Sequence, residues 1–344
     1  MRSAIALVLV LMLCAPVLAE KAELSPLPAL NTLTELPVKL IKDFTANPDI
    51  ASPALPVAAG EGNFFFYDYK LKRLCKVNLR NNKVLPVGRF GEGPKEYTSI
   101  SSLWGDDAHV YCIDRKGKIC CFGLNGTFQW EERLDKAYPR FLGIDNGSVF
   151  LSTFGRYSST VRTLRLFHWK RGRRISELMN LPVEFIATQA FHISGKLMKG
   201  GGIHNVAVPA VAIWNGKLVT SAYEDFRFDI RDLGKKSKVQ VAVNAPAPVL
   251  NPRLRKIKNI QDKKNYAIRQ FYPMTSCLAV ISNYYRGQKP RIDFFGPKGT
   301  LLHSYILPFE ANGGGNDILI HGDYLFHSQW DEVGFKVYKI NLKI

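Results

Sequence analysis

The feature that most constrains this chain is a unit of four short strands joined by tight turns, which recurs six times along it. Its clearest copy runs through residues 100–105, 109–113, 118–122 and 128–133. The pair Asn125-Gly126 joins its third strand to its fourth, and Asn-Gly accepts the positive φ angles that a tight hairpin demands. Neighbouring copies repeat the unit at 55–58, 64–67, 74–78 and 83–87, and at 141–144, 148–153, 163–168 and 174–180. Another spans 211–214, 218–222, 227–231 and 238–243, and the next has strands near Tyr272 and at 277–283, 291–295 and 301–307. The turn before each fourth strand reads Asn81-Asn82, Asn125-Gly126, Arg171-Gly172, Gly234-Lys235 or Lys298-Gly299. Four-stranded units repeated around an axis make a β-propeller, so the expected fold is all-β with six four-stranded antiparallel blades.

The two ends of the chain complete the count. The sixth unit has strands at 318–320, 324–328 and 335–340 and then lacks a fourth. An alternating stretch at 38–44 has no partner in the first unit, and pairing it into the last blade closes the ring and removes an exposed edge. Residues 36–344 are therefore read as one propeller domain, preceded by a linker at 20–35.

Residues 1–19 read as a secretory signal. Arg2 supplies the positive start, 4–14 an apolar run, and Val17-Leu18-Ala19 a cleavage site. Acylation at Cys14 is disfavoured because Leu13 stands where a small residue should. No later segment approaches the ~20 apolar residues of a membrane helix. A periplasmic or secreted address is expected. The formal charge of +18 falls to +17 when Arg2 leaves, an excess that attracts polyanions.

One motif carries a resemblance. Gly88-Arg89-Phe90-Gly91-Glu92-Gly93-Pro94-Lys95-Glu96-Tyr97 resembles the G-x-x-G-x-G-P-x-E-aromatic signature of bacterial six-bladed β-propeller proteins related to NHL-repeat and TolB-like propellers. Lys95 replaces a glycine common in that signature. The resemblance implies the fold and an extracytoplasmic address, and it brings no reaction with it. On residues alone the motif is a structural loop between blades. Gly88, Gly91 and Gly93 supply backbone freedom, Pro94 stiffens the exit, and Glu96 can accept backbone N–H groups. A phosphate cradle is disfavoured, since no Gly-Lys-Ser/Thr ending follows.

Propeller geometry then locates function. Links between blades and the loops between second and third strands share one face, here called the top. Both long insertions, 182–209 and 244–272, are links between blades and fall there. The top loops combine aromatic and polar residues: Arg156 and Tyr157, Tyr223, Glu224 and Asp225, Tyr284, Tyr285 and Arg286, and Gln329, Trp330 and Asp331. These types stack on, or fork toward, a glycan, a peptide or a protein surface. The expected function is an exported ligand-binding or interaction scaffold without a cofactor. The alternative is a metal-dependent hydrolase or lyase, with Ca²⁺ held in the central channel by Glu224, Asp225, Asp331 and Glu332. His192 and His204, twelve apart in an insertion, are a poor zinc signature. Arg253, Arg255, Lys256 and Lys258 offer a salt-sensitive contact for polyanions, although nucleic acid is not expected as partner. With Lys116-Gly117 taken as a two-residue hairpin loop, Cys112 falls opposite Cys121, within disulfide reach.

Overall fold

The computed structural model describes residues 20–22, 26–45, 47–78, 83–135, 139–145, 147–154, 162–187, 191–193, 196–198, 203–207, 209–221, 225–233, 238–243, 267–287, 289–310, 318–328 and 334–342. They form a six-bladed β-propeller. The innermost strands are Pro53–Ala59, Ile100–Gly105, Arg140–Asp145, Ala210–Trp214, Ile268–Pro273 and Ile318–His321 for blades 1 to 6. Each touches the inner strand of the next blade, and the sixth touches the first, so together they wall a central channel. Close approach is written into the sequence at Gly143, where a Cβ would crowd Ile213 of the next inner strand.

The second and third strands of each blade are sandwiched between neighbouring blades, which explains why they read as continuous apolar runs. His109–Asp114 and Lys118–Gly123 of blade 2 are buried almost throughout. Side chains alternate between two cores. Val110, Cys112, Cys120 and Phe122 pack with Phe65, Tyr67 and Leu74 of blade 1. Tyr111, Ile113, Ile119 and Cys121 pack with Leu151, Phe167 and Trp169 of blade 3. Six such clusters, one per blade junction, replace a single central core.

The N-terminal strand closes the ring as the sequence implies. Val38–Asp43 is the outer strand of blade 6 and pairs antiparallel with Lys336–Ile340, Val38 opposite Ile340. Phe44 extends the contact, its N–H donating to Phe335 O at 3.0 Å while its ring sits in the core between blades 6 and 1. The preceding residues are also held. Glu20–Ala22 pairs in parallel with the outer strand of blade 4, Lys238–Ala242. Next, Leu36 N donates to Ile306 O at 2.8 Å, and Ile306 N to Thr34 O at 2.9 Å, along the edge of blade 5. A single strap thus covers the outer edges of three consecutive blades, where unpaired strand edges invite association.

A buried charge cluster fastens that strap. Arg291 and Asp293, 3% and 0% exposed, lie on the third strand of blade 5, Lys289–Phe295. Arg291 Nε donates to both carboxylate oxygens of Asp293 at 2.8 and 2.9 Å. Its Nη2 donates to Ser304 Oγ at 3.0 Å, and its Nη1 reaches Pro28 O of the strap at 2.7 Å. Burial pushes the Asp293 carboxyl up, against the pull of Arg291 and Ser304.

Two expectations are corrected. The outer strand of blade 3, expected at 174–180, instead runs Ser176–Ala187 and pairs with Ile203–Ala207, so the described part of the insertion at 182–209 carries strands. The blade 2 hairpin is out of register by one. Its loop holds three residues, with Gly117 at φ +86° and its N–H donating to Asp114 O at 3.0 Å. Cys112 is therefore opposite Cys120, and Tyr111 is opposite Cys121. Because a slip of one residue exchanges the faces of a strand, Cys112 and Cys121 belong to different cores and cannot pair.

Candidate functional site

The top mouth of the channel holds a cavity of about 220 Å³ between blades 1, 5 and 6. Irregular inner strands make room for it. In blade 1 the ladder slips between Ala54 and Val57, leaving Leu55 in the left-handed region at φ +54°, followed by Pro56. For a side chain other than glycine this backbone is costly, by about 1–3 kcal/mol, and such strain gathers at functional positions. A second slip, between Ile268 and Gln270, turns the inner strand of blade 5 at the same level. Pro53 and Pro56 lack an N–H, which suits them to an irregular strand.

The walls are mostly apolar. Leu55, Pro56, Leu319, Phe326 and Phe335 supply them, and Tyr69, Gln270 and Ser328 add polar atoms. Among the described residues no Asp, Glu, Lys, Arg or His lines this cavity, although the chain carries an excess of 18 positive charges. Tyr69 is 40% exposed at the rim, so a ligand can reach it. Its ring meets Tyr67 edge-on at 5.0 Å, and its N–H donates to Ser52 O at 2.9 Å. Asp68 fixes the loop from below. One of its carboxylate oxygens accepts from Ala51 N and Ser52 N at 2.7 and 3.1 Å, the other from Leu71 N at 3.0 Å. Asp114 does the same in blade 2, taking Lys116 N and Lys118 N on one oxygen and Thr98 Oγ1 on the other. An aspartate ending the second strand was the sequence signal for these braced loops.

The other end of the channel is narrowed. Trp104 and His321, the latter closing the inner strand of blade 6, meet edge-on at 5.0 Å although their blades are not neighbours in the ring. Burial holds the His321 imidazole down at about 4, so the ring is neutral near pH 7.

The Gly88–Tyr97 segment is built around its glutamate. Glu96 Oε2 accepts the Gly93 N–H at 2.9 Å and occupies the space that a Cβ at Gly91 would need. Gly88 has φ +66° and abuts the Phe122 ring, while Lys95 N donates to Glu131 Oε2 at 2.6 Å and Pro94 lies beside it. Tyr97 Oη accepts from Leu74 N at 2.7 Å and donates to Val87 O at 2.8 Å, locking the link from blade 1 to blade 2. These contacts are internal to the fold.

Four of the eleven top-loop residues singled out in the sequence are described, and they engage the protein itself. Asp225 pairs with Arg227 at 3.3 Å. Tyr284 is buried and stacked on Phe226, and Tyr285 Oη bonds Asn283 Oδ1 at 3.2 Å. Arg286 Nη1 donates to Leu33 O of the strap at 2.8 Å, so the chain's own N-terminal segment occupies it. Arg156, Tyr157, Tyr223, Glu224, Gln329, Trp330 and Asp331 lie outside the described residues, as do Glu332, Arg253, Arg255, Lys256 and Lys258. His192 and His204 fall on Phe191–Ile193 and Ile203–Ala207, strands that do not pair with each other. Among the described residues no three His, Cys, Asp or Glu side chains gather as a metal site, and no helix is long and apolar enough to cross a membrane.

No family model matches this chain, and no curated protein matches it either. Among solved structures, it is similar to a Bacteroides fragilis protein named as a putative exported protein, at 15% identity and a TM-score of 0.51, over 94% of this chain and 99% of that one. A streptogramin B lyase aligns over 90% of this chain and 88% of its own, at 11% identity and a TM-score of 0.44. The first likeness is one of fold.

Proposed function

We propose that this propeller is an exported recognition module whose top face captures an apolar side chain of a peptide or protein in the mouth of its channel. The observation that carries the reading is the cavity beside Leu55 and the exposed Tyr69, whose described lining holds no Asp, Glu, Lys, Arg or His, set over a narrowed channel. Its volume, about 220 Å³, is below the ~300–1,000 Å³ of sites that engulf a whole small molecule. It suits one residue of a larger ligand, with Tyr69, Gln270 and Ser328 offering hydrogen bonds at the rim. Burying apolar surface supplies the affinity and those few polar groups the orientation.

The signal-like residues 1–19 support the exported address, and the name of the Bacteroides fragilis protein with the same fold agrees with it. The Gly88–Tyr97 motif supports kinship with NHL-repeat and TolB-like propellers. Arg253, Arg255, Lys256 and Lys258 would add a salt-sensitive attraction for acidic partners.

The test is binding of a peptide library and a glycan array to the protein and to Tyr69→Ala and Gln270→Ala variants. Peptides bearing an aromatic or large aliphatic residue are expected to bind, and each variant to weaken them about tenfold, roughly 1.4 kcal/mol, at unchanged melting temperature. Glycans bound in place of peptides, or binding that both variants retain, would overturn the reading. Binding lost only when the four basic residues are neutralised, and abolished by salt, would replace it with a charged patch.

A further inference from the structure

We propose that Cys112 and Cys120 form a cross-strand disulfide when the chain folds under oxidising conditions, pinning the second strand of blade 2 to the third beneath the glycine-rich link. The two are directly opposed in the ladder between His109–Asp114 and Lys118–Gly123. Opposed residues of antiparallel strands have Cα atoms about 4.5–5.5 Å apart, inside the ~4.4–6.8 Å window of a disulfide. Both side chains point into the core between blades 1 and 2, and neither is exposed.

The other cysteines among the described residues have other surroundings. Cys121, adjacent in sequence to Cys120, faces the core between blades 2 and 3. Cys75 Sγ contacts Arg73 O at 3.8 Å, and Cys277 Sγ contacts Met274 Sδ at 3.8 Å. In the thiol form Cys120 Sγ lies 3.6 Å from Glu96 O, so the pair sits directly under the glutamate that organises the Gly88–Tyr97 segment.

The chemistry balances with an external disulfide as acceptor, either oxidised glutathione or the disulfide form of an oxidoreductase. The thiolate of one cysteine attacks the acceptor and forms a mixed disulfide, releasing one thiol. The second thiolate then displaces the other acceptor sulfur, so two protons and two electrons leave the protein. Burial pushes the Cys112 thiol up, which disfavours the thiolate in the folded blade. The bond is therefore made while blade 2 assembles, and in the finished fold it is shielded from reductants.

The proposal rests on the exported address for its setting in the cell, so the test separates the two. Reduced, denatured protein is refolded in a glutathione buffer, then unfolded, alkylated without reduction and digested with trypsin. A linked pair of peptides, 96–115 with 119–133, is expected. It should persist in Cys121→Ser and vanish in Cys120→Ser, with Cys75, Cys121 and Cys277 alkylated in the unsubstituted protein. Cys112 and Cys120 both alkylated after refolding, along with Cys75, Cys121 and Cys277, or a link that survives Cys120→Ser and is lost in Cys121→Ser, would overturn it. Protein isolated from cells with the pair reduced, alongside refolded protein with it linked, would contradict the exported address and uphold the pairing.

Discussion

Deleting residues 20–45 is expected to abolish cooperative folding. The strap contributes the outer strand of blade 6 and places Leu33, Leu36 and Phe44 in buried positions, each 7% exposed or less. Burying one such side chain is worth about 1.5–3 kcal/mol. Three of them, with the ladder from Val38 to Asp43, amount to more than about 5 kcal/mol, a large part of the ~5–15 kcal/mol by which proteins are stable. Deletion also uncovers the edges of blades 4, 5 and 6 together, so the product should self-associate. Thermal melting followed by circular dichroism, with size-exclusion chromatography, reads both effects. A sharp transition within a few degrees of the full-length protein, from a monomer, would show that the strap is not part of the closure.

Arg291→Ala is expected to destabilise the protein by about 3–5 kcal/mol, since it leaves the Asp293 carboxylate buried without its cation. The same change frees Pro28 O, one of the anchors of the strap. The pH dependence identifies the cause. Without Arg291 the Asp293 pKa in the folded state rises further above its unfolded value, so the folded state binds a proton that the unfolded state lacks. The deficit against the unsubstituted protein should be greatest near neutral pH and shrink as the pH falls through that raised pKa. Replacing both residues, as in Arg291→Met with Asp293→Leu, should cost less than Arg291→Ala alone, because no charge stays behind. Chemical denaturation across pH 5–8 measures this, and a pH-independent deficit would mean that lost packing, not an orphaned charge, is responsible.

How much of this was legible in the sequence follows from the range of the interactions. Blade 2 was readable nearly to its ends because its strands and turns are local: Asn125-Gly126 announces a hairpin whose glycine takes φ +86°. Closure by 38–44 was readable because the last blade lacked a strand and an alternating stretch lacked a partner. The cysteine register failed by one residue, since Lys116-Gly117 is equally compatible with a two-residue and a three-residue loop. Nothing local marks the strap anchor, for Arg291 and Pro28 stand 263 residues apart.

The cavity was read less well than the face that bears it. Loops between second and third strands attracted attention for their Tyr, Trp and Arg residues, yet Tyr284 and Arg286 proved to serve internal packing and the strap. The wall of the cavity comes instead from a bulged inner strand, whose signal was Pro53 and Pro56 within a segment otherwise read as regular. A proline that interrupts an inner strand leaves the ladder where the channel has room, and that is where Leu55 departs from ordinary backbone.

The central claim, that ligand enters at the top mouth of the channel, is tested most directly by photo-crosslinking. A benzoylphenylalanine placed at Tyr69, beside the cavity, is compared with one at Asn125, on a turn of the opposite face, each irradiated with the tightest-binding library peptide. Crosslinks from position 69 that unlabelled peptide competes away, with none from position 125, are the predicted result. Competable crosslinks from position 125 with none from position 69 would place recognition on the other face and contradict the account.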